Sequence, residues 1–271
     1  MLGPTLEGVD GSTYAVIFYE EFSEYVKAVC VSSKLPEGTV AAWLQAWGRQ
    51  SVENVHTDNG GEFMAAFDEF VVSVLRARHE WGLPGVPASN SRIEGTVRRC
   101  SEGTRASMVE ANAPYGLWPY ALVTFCKNWS MTRLNWRGRT PYSEVHQKDP
   151  AVKRMVAFGT GVTYIPPRTS QLFEEMKKFG AKGLPGVFLG YAQLGAYHVL
   201  DLGYFKSSGG TCRIFITRDA TPQHGYFPFV ADPEADAIAE ATVLKLFEDK
   251  GKQGAEEILC GEAGSCFHCG K

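Results

Sequence analysis

The sequence lacks any run approaching the ~20 consecutive apolar residues of a membrane span. Gly3, Pro4 and Glu7 stand where a secretory leader would be apolar, so neither a membrane segment nor a signal peptide is expected. The chain reads as intracellular, cytoplasmic or nuclear. Cysteine is also scarce: the count of 7 is odd, and Cys30, Cys100, Cys126 and Cys212 follow no spacing rule, which excludes a disulfide scaffold and fits a reducing compartment. Cys30 and Cys126 sit in apolar runs and read as small buried hydrophobes. Cys260, Cys266, His268 and Cys269 match a zinc site in number, but the adjacent His268 and Cys269 cannot easily share one ion, so no zinc is expected.

What is present is an ordinary soluble composition, 44% apolar and 21% charged, enough for a substantial core in 271 residues. The net charge of −3 conceals an uneven distribution. Residues 1–75 carry 3 Lys/Arg against 11 Asp/Glu, residues 76–220 carry 20 against 10, and residues 221–271 carry 4 against 9. A basic middle suits a nucleic-acid partner, since phosphate neutralisation supplies most non-specific affinity, although solvated helices show the same pattern. The pI near 6.1 argues against a strong free-standing DNA binder.

Tyr14–Tyr19 and Tyr25–Val31 are β-branched and aromatic runs around a polar turn, which predicts an antiparallel pair. Pro36 opens a helix with Val40, Trp43, Leu44 and Trp47 on one face. Val52–Thr57 reads as a brief strand, and Phe63–Leu75 as an amphipathic helix aligning Phe67, Val71 and Val74. The glycine- and proline-rich segment 82–90 is a loop. Helices are expected over residues 91–111 and 117–134, the latter with Trp118, Trp129 and Trp136; Trp43, Trp47, Trp118 and Trp129 read as core packing. The order of elements implies a mixed α/β domain over residues 1–148. Residues 150–222 alternate β-type runs with Pro and Gly turns, a small mostly-β module, and residues 223–271 form an acidic, loosely ordered tail with one helical stretch around Ala237–Phe247.

His56-Thr57-Asp58-Asn59-Gly60-Gly61-Glu62-Phe63 closes the third strand, and Glu94 opens the basic helix that carries Arg92, Arg98, Arg99 and Arg105. Singly, Asp58-Asn59-Gly60-Gly61 is a good turn, and Glu94 complements a helix dipole. Five further landmarks follow in order: Asn90-Ser91-Arg92-Ile93-Glu94 with Arg98-Arg99, Trp118 with Ala121, Arg139-Thr140-Pro141-Tyr142, Phe158-Gly159 before Tyr164, and Gly186-Val187-Phe188-Leu189-Gly190-Tyr191. Together these resemble the integrase core of copia-type retrotransposons across residues 3–220. Lys177-Lys178-Phe179 matches the family's basic connection before its Phe-Leu-Gly-Tyr motif.

The resemblance implies a ribonuclease-H-like fold, a mixed sheet flanked by helices followed by the small β module. It also implies metal-dependent DNA strand transfer, double-stranded DNA as partner, and oligomerisation as integrases do. Its catalytic site is two aspartates and a glutamate holding two Mg2+ or Mn2+ ions. Asp58 and Glu94 correspond to two of these ligands. Two ions about 3.5–4 Å apart activate the nucleophile and stabilise the leaving oxygen, and Mg2+ takes hard oxygen ligands and retains waters. Because this chemistry needs no general base, His56 reads as a strand-end residue.

The sequence departs from the family in places. The first family Asp stands three positions before a Gly-Pro pair, and Gly3-Pro4 here puts it one position before Met1. Asp10, Glu20 and Glu21 are the nearby acids that could replace it. Ser91 and Gly95 replace the usual Gly and Arg around Glu94. The expectation is an impaired integrase core. Two other readings stay open: a non-catalytic nucleic-acid-binding remnant, and a different ribonuclease-H-like nuclease.

Overall fold

The structure is a computed structural model that describes residues 1–82, 90–176, 180, 182–239 and 241. The 82–90 loop falls largely outside the described residues, as do Lys177-Lys178-Phe179, most of the expected 237–247 helix and all four residues of the terminal Cys/His group. The architecture is mixed α/β, as the order of predicted elements implies. The chain divides into two compact units, one of residues 1–103 and 125–153, the other of 104–124 and 154–271. Among the described residues no helix is long and apolar enough to cross a membrane.

The first unit opens with the predicted hairpin. Strands β1 (Tyr14–Glu20) and β2 (Tyr25–Val31) pair antiparallel in the register Tyr14↔Val31 to Glu20↔Tyr25. Glu20 closes the turn by accepting the Phe22 and Ser23 amides at 3.0 and 2.7 Å. Helix α1 (Pro36–Trp47) follows, with Pro at its start, where the missing amide costs no intrahelical bond. Its buried face is Thr39, Ala42 and Trp43; Leu44, expected inside, is 39% exposed.

Strand β3 (Asn54–Thr57) pairs parallel with β4 (Arg78–Trp81), a strand with no sequence prediction. Arg-His-Glu-Trp has little β-branched character, and its faces alternate between exposed and half-buried, so only pairing with β3 makes it a strand. The helix expected over Phe63–Leu75 is broken into a 3-10 turn (Gly61–Phe63), α2 (Ala66–Glu69) and a π-type stretch (Phe70–Val74). Ala65 at φ +49 ends the first piece, and the Leu75 amide reaches back five residues to the Phe70 carbonyl at 3.0 Å. That widened turn buries Phe67, Phe70, Val71 and Leu75 but rotates Val74 to 49% exposure. These side chains share one core with Val16, Phe18, Val29, Trp43 and Val55, with Trp47 packed partly against it.

Helix α3 (Ser91–Glu110) contributes residues to both units, as does α4 (Trp118–Thr132). Trp118 is buried as expected, but Trp136 lies beyond the end of α4 and is 72% exposed. Helix α5 (Pro141–His146) is capped by Thr140, whose hydroxyl accepts the Ser143 amide at 3.1 Å, so the Thr-Pro-Tyr motif is a helix start.

The second unit holds a five-stranded antiparallel sheet in the order β8 (Ile214–Thr217), β7 (Tyr197–Asp201), β6 (Leu184–Tyr191), β5 (Gly161–Tyr164), β9 (Ala220–Pro222). The central β6 is the Phe-Leu-Gly-Tyr motif, fully buried from Gly186 to Gly190 except for its ends. Two of its glycines are dictated by space: a Cβ on Gly186 would lie 2.6 Å from Val199 and 2.9 Å from the Leu200 carbonyl, and one on Gly190 2.7 Å from the Thr124 hydroxyl. Helices α6 (Gln171–Glu174), α7 (Leu202–Ser207) and α8 (Pro228–Ala231) complete the unit, and residues 233–239 are also helical. Asp201 caps α7 through the Tyr204 amide at 3.0 Å and pairs with Arg213.

Candidate metal and nucleic-acid site

Asp58 follows directly on the last residue of β3 and is exposed. Its Oδ1 accepts the Gly60 amide at 3.1 Å, the local bond that makes this segment a tight turn. The neighbouring groups tie that turn into the sheet. The Asn59 side-chain Nδ2 donates to the Gly82 carbonyl at 3.0 Å, and the Gly82 backbone amide donates to the Thr57 carbonyl at 2.8 Å. Beneath Asp58, Thr57 and His79 meet at 2.9 Å through Oγ1 and Nε2, and His79 Nδ1 meets Asp68 Oδ1 at 2.7 Å. The Asp68 carboxylate can only accept, so Nδ1–H is the donor of that bond. This chain of bonds locks β3 to β4 just before Asp58.

Glu94 stands in the first turn of α3 and is exposed; its amide donates to the Asn90 carbonyl at 3.0 Å. The Asn90 side chain reaches β3, with Oδ1 2.8 Å from His56 Nε2. His56 is therefore a strand-end residue that pins the start of α3, two positions before Asp58.

The four arginines divide. Arg92 forms an ion pair with Glu21, and the Arg99 guanidinium lies 5.7 Å from the Trp129 ring centroid, so both are engaged within the first unit. Arg98 is exposed on the same helical face as Glu94, four residues on. Arg105, half-buried, belongs to the second unit. The other acids weighed as replacements are occupied elsewhere: Asp10 accepts the Ser12 amide at 3.0 Å, Glu20 closes the hairpin, and Glu21 holds Arg92. Among the described residues no group of three or more His, Cys, Asp or Glu is arranged to hold a metal ion.

Two residues escaped the sequence reading. His79 carried no motif, because its role depends on partners on other elements. Glu62 was visible inside the Asp58 motif, an acid two residues after Gly60, yet nothing local announced that it would be buried at 3% exposure. An open cleft of about 420 Å³ lies in the second unit, lined by Thr163, Ile165, Gly183, Arg218 and Asp219, and contains no residue of the Asp58 turn.

No family model matches the sequence. Among curated proteins, it is 24% identical over 196 residues to the retrovirus-related Pol polyprotein from transposon TNT 1-94 of Nicotiana tabacum, covering 69% of this chain. It is 25% identical over 228 residues to the corresponding polyprotein from transposon RE1 of Arabidopsis thaliana, covering 81% of this chain. This chain resembles the integrase core of a retrotransposon Pol polyprotein. The match spans 14% of the length of each of those relatives. Solved structures similar to it include the catalytic core domain of BIV integrase, at 22% identity and a TM-score of 0.41 over 49% of this chain and 85% of that one. Another is the simian T-cell lymphotropic virus intasome in complex with a PP2A regulatory subunit, at 16% identity and a TM-score of 0.42 over 77% of this chain and 71% of that one.

In this integrase-like core Gly95 is the oddest residue of α3, since a helix-interior glycine costs up to ~1 kcal/mol relative to alanine. A Cβ there would meet only the tip of Arg99, at an ordinary 3.7 Å. Gly95→Ala is expected to raise the unfolding free energy by up to ~1 kcal/mol in a urea titration. A loss of stability would show that α3 needs a glycine at this point for another reason.

Proposed function

We propose that the chain is an integrase catalytic core of ribonuclease-H-like type, acting in metal-dependent strand transfer on double-stranded DNA, with residues 1–148 as the catalytic part. Asp58 and Glu94 are the metal ligands of this reading, Mg2+ or Mn2+ the ion, and Arg98 the arginine best placed to meet a phosphate. The observation that carries it is the His56–Asn90 hydrogen bond, which ties the helix start bearing Glu94 to the strand that ends just before Asp58. The donors suit a hard divalent cation: both carboxylates are exposed oxygen ligands, and Mg2+ needs only one or two of them beside water and phosphate.

Within this reading the chain's own residues have separate tasks. The Thr57–His79–Asp68 bonds and the Asn59–Gly82 bond hold Asp58 still, so that the ligand needs little reordering on binding. Arg98 neutralises phosphate beside Glu94. A bound divalent cation would activate the attacking hydroxyl and offset charge on the leaving oxygen. With no group of three or more metal-ligating side chains assembled among the described residues, we expect the chain to be a weak catalyst.

That same lack favours a second reading, a DNA-binding remnant without turnover. Both are tested by a strand-transfer assay on duplex DNA in Mg2+ or Mn2+, run beside a salt-dependent binding titration. The catalytic reading expects a low but measurable yield that Asp58→Asn and Glu94→Gln each abolish. Product that persists in Asp58→Asn overturns the site. Salt-sensitive binding without product supports the remnant, and no binding at low salt overturns both.

A further inference from the structure

Gly60 has an ordinary extended backbone, φ −66 and ψ 141, that any residue could adopt. What excludes a side chain there is space. A Cβ on Gly60 would lie 2.6 Å from Glu62 Oε2, 2.8 Å from its Cδ and 3.0 Å from Asp58 Oδ1. Two carboxylates, one on each side of the glycine, therefore close on the same small volume. Glu62 is 3% exposed, and its Oε2 is buried and accepts no hydrogen bond. Its countercharge is the Lys34 ammonium at 3.4 Å, on a side chain that is itself 53% exposed. A buried carboxylate without hydrogen bonds is costly unless a cation neutralises it.

We propose that Asp58 and Glu62 form the carboxylate pair of a divalent-cation site, with the Lys34 ammonium supplying the positive charge until a metal ion displaces it. The inference rests on reading Asp58 as a metal ligand and gives it a second partner from its own turn. Glu62 brings a carboxylate whose buried oxygen has no hydrogen bond to give up, and Lys34 is exposed enough to swing into water. Mg2+ or Mn2+ completes its shell with waters and with phosphate oxygens of a bound nucleic acid, which is why two carboxylates suffice. Gly60 keeps the volume between them open.

The test is Mn2+ binding to the full chain, read from the loss of the free-ion EPR signal, with thermal unfolding to confirm that each variant is folded. Asp58→Asn and Glu62→Gln are each expected to weaken binding by about ten-fold or more, since even residues outside the ligand set cost that much at metal sites. Gly60→Ala keeps every charge but pushes the Glu62 carboxylate away, and is expected to weaken binding in the same way. Lys34→Met removes the competing ammonium and is expected to tighten binding about three-fold. Binding that falls in Asp58→Asn but not in Glu62→Gln or Gly60→Ala overturns this inference and leaves the Asp58 site standing. Binding that falls in Asp58→Asn and Glu62→Gln but not in Glu94→Gln upholds it and removes Glu94 from the proposed ligand set. Mn2+ binding indifferent to Asp58→Asn overturns both.

Discussion

Replacing Phe67 with alanine is expected to lower the unfolding free energy by about 3–5 kcal/mol, the range for deleting a fully buried aromatic. Phe67 is 1% exposed and sits at the centre of an aromatic cluster. Its ring centroid is 5.6 Å from Phe63, 6.2 Å from Trp43, 6.4 Å from Phe70 and 5.8 Å from His79, mostly in edge-on geometry. Such pairs add to plain burial, so the loss falls on several neighbours at once. The helix that carries it, α2, has only four residues and cannot hold its place by backbone bonding alone. The site should feel the change as well, because Phe63 follows Glu62 directly and His79 supports Thr57. Urea unfolding of the variant, followed through tryptophan fluorescence, measures the cost. A loss below about 1 kcal/mol would mean that the cluster collapses into the gap and that Phe67 is not its keystone.

Gly159→Val is expected to destabilise the chain by about 3 kcal/mol or more, by two additive routes. Gly159 has φ +81, a conformation that a β-branched residue adopts only under strain. A Cβ there would also stand 2.2 Å from the Cβ of Ala111, which is itself fully buried. The Gly159 amide donates to the Phe188 carbonyl at 2.9 Å, so the segment cannot shift without losing a bond to the central strand. The double variant with Ala111→Gly separates the routes: it should recover the steric part and leave the backbone strain. Full recovery would show that the positive φ costs nothing, and no recovery would show that the contact with Ala111 is not the obstacle.

The Phe158-Gly159 pair shows how a motif can be read from the sequence without its reason. The same holds for Thr140-Pro141-Tyr142, which turns out to be a capped helix start, and for Phe188-Leu189-Gly190-Tyr191, the buried central strand. Elements with strong local patterns were legible. The β1–β2 hairpin, α1, α3, α4 and the strands β5 to β8 follow from apolar periodicity and from their flanking Gly and Pro residues. Strands β4 and β9 and the short helix α7 were not legible, because each strand is held by a partner distant in sequence and α7 packs its Phe205 ring on Phe229, with centroids 5.2 Å apart. Two faces were also misjudged: Leu44 and Val74 fit an apolar stripe, but the π-type turn and the packing of α1 leave them exposed.

For the site, the sequence by itself determined the kinship to retrotransposon Pol polyproteins, the turn at Asp58, and the helix beginning before Glu94, since all are local patterns in residue order. Only the tertiary structure decided what surrounds them. It took Arg92 to Glu21 and Arg99 to Trp129, joined His56 to Asn90, and set His79 between Thr57 and Asp68. It also buried Glu62 beside Asp58 around a glycine whose need is spatial. The physical reason is common to all of these. A backbone preference is fixed by neighbours in the chain, whereas the partner of a charged or polar side chain is fixed by whichever elements the core brings alongside it.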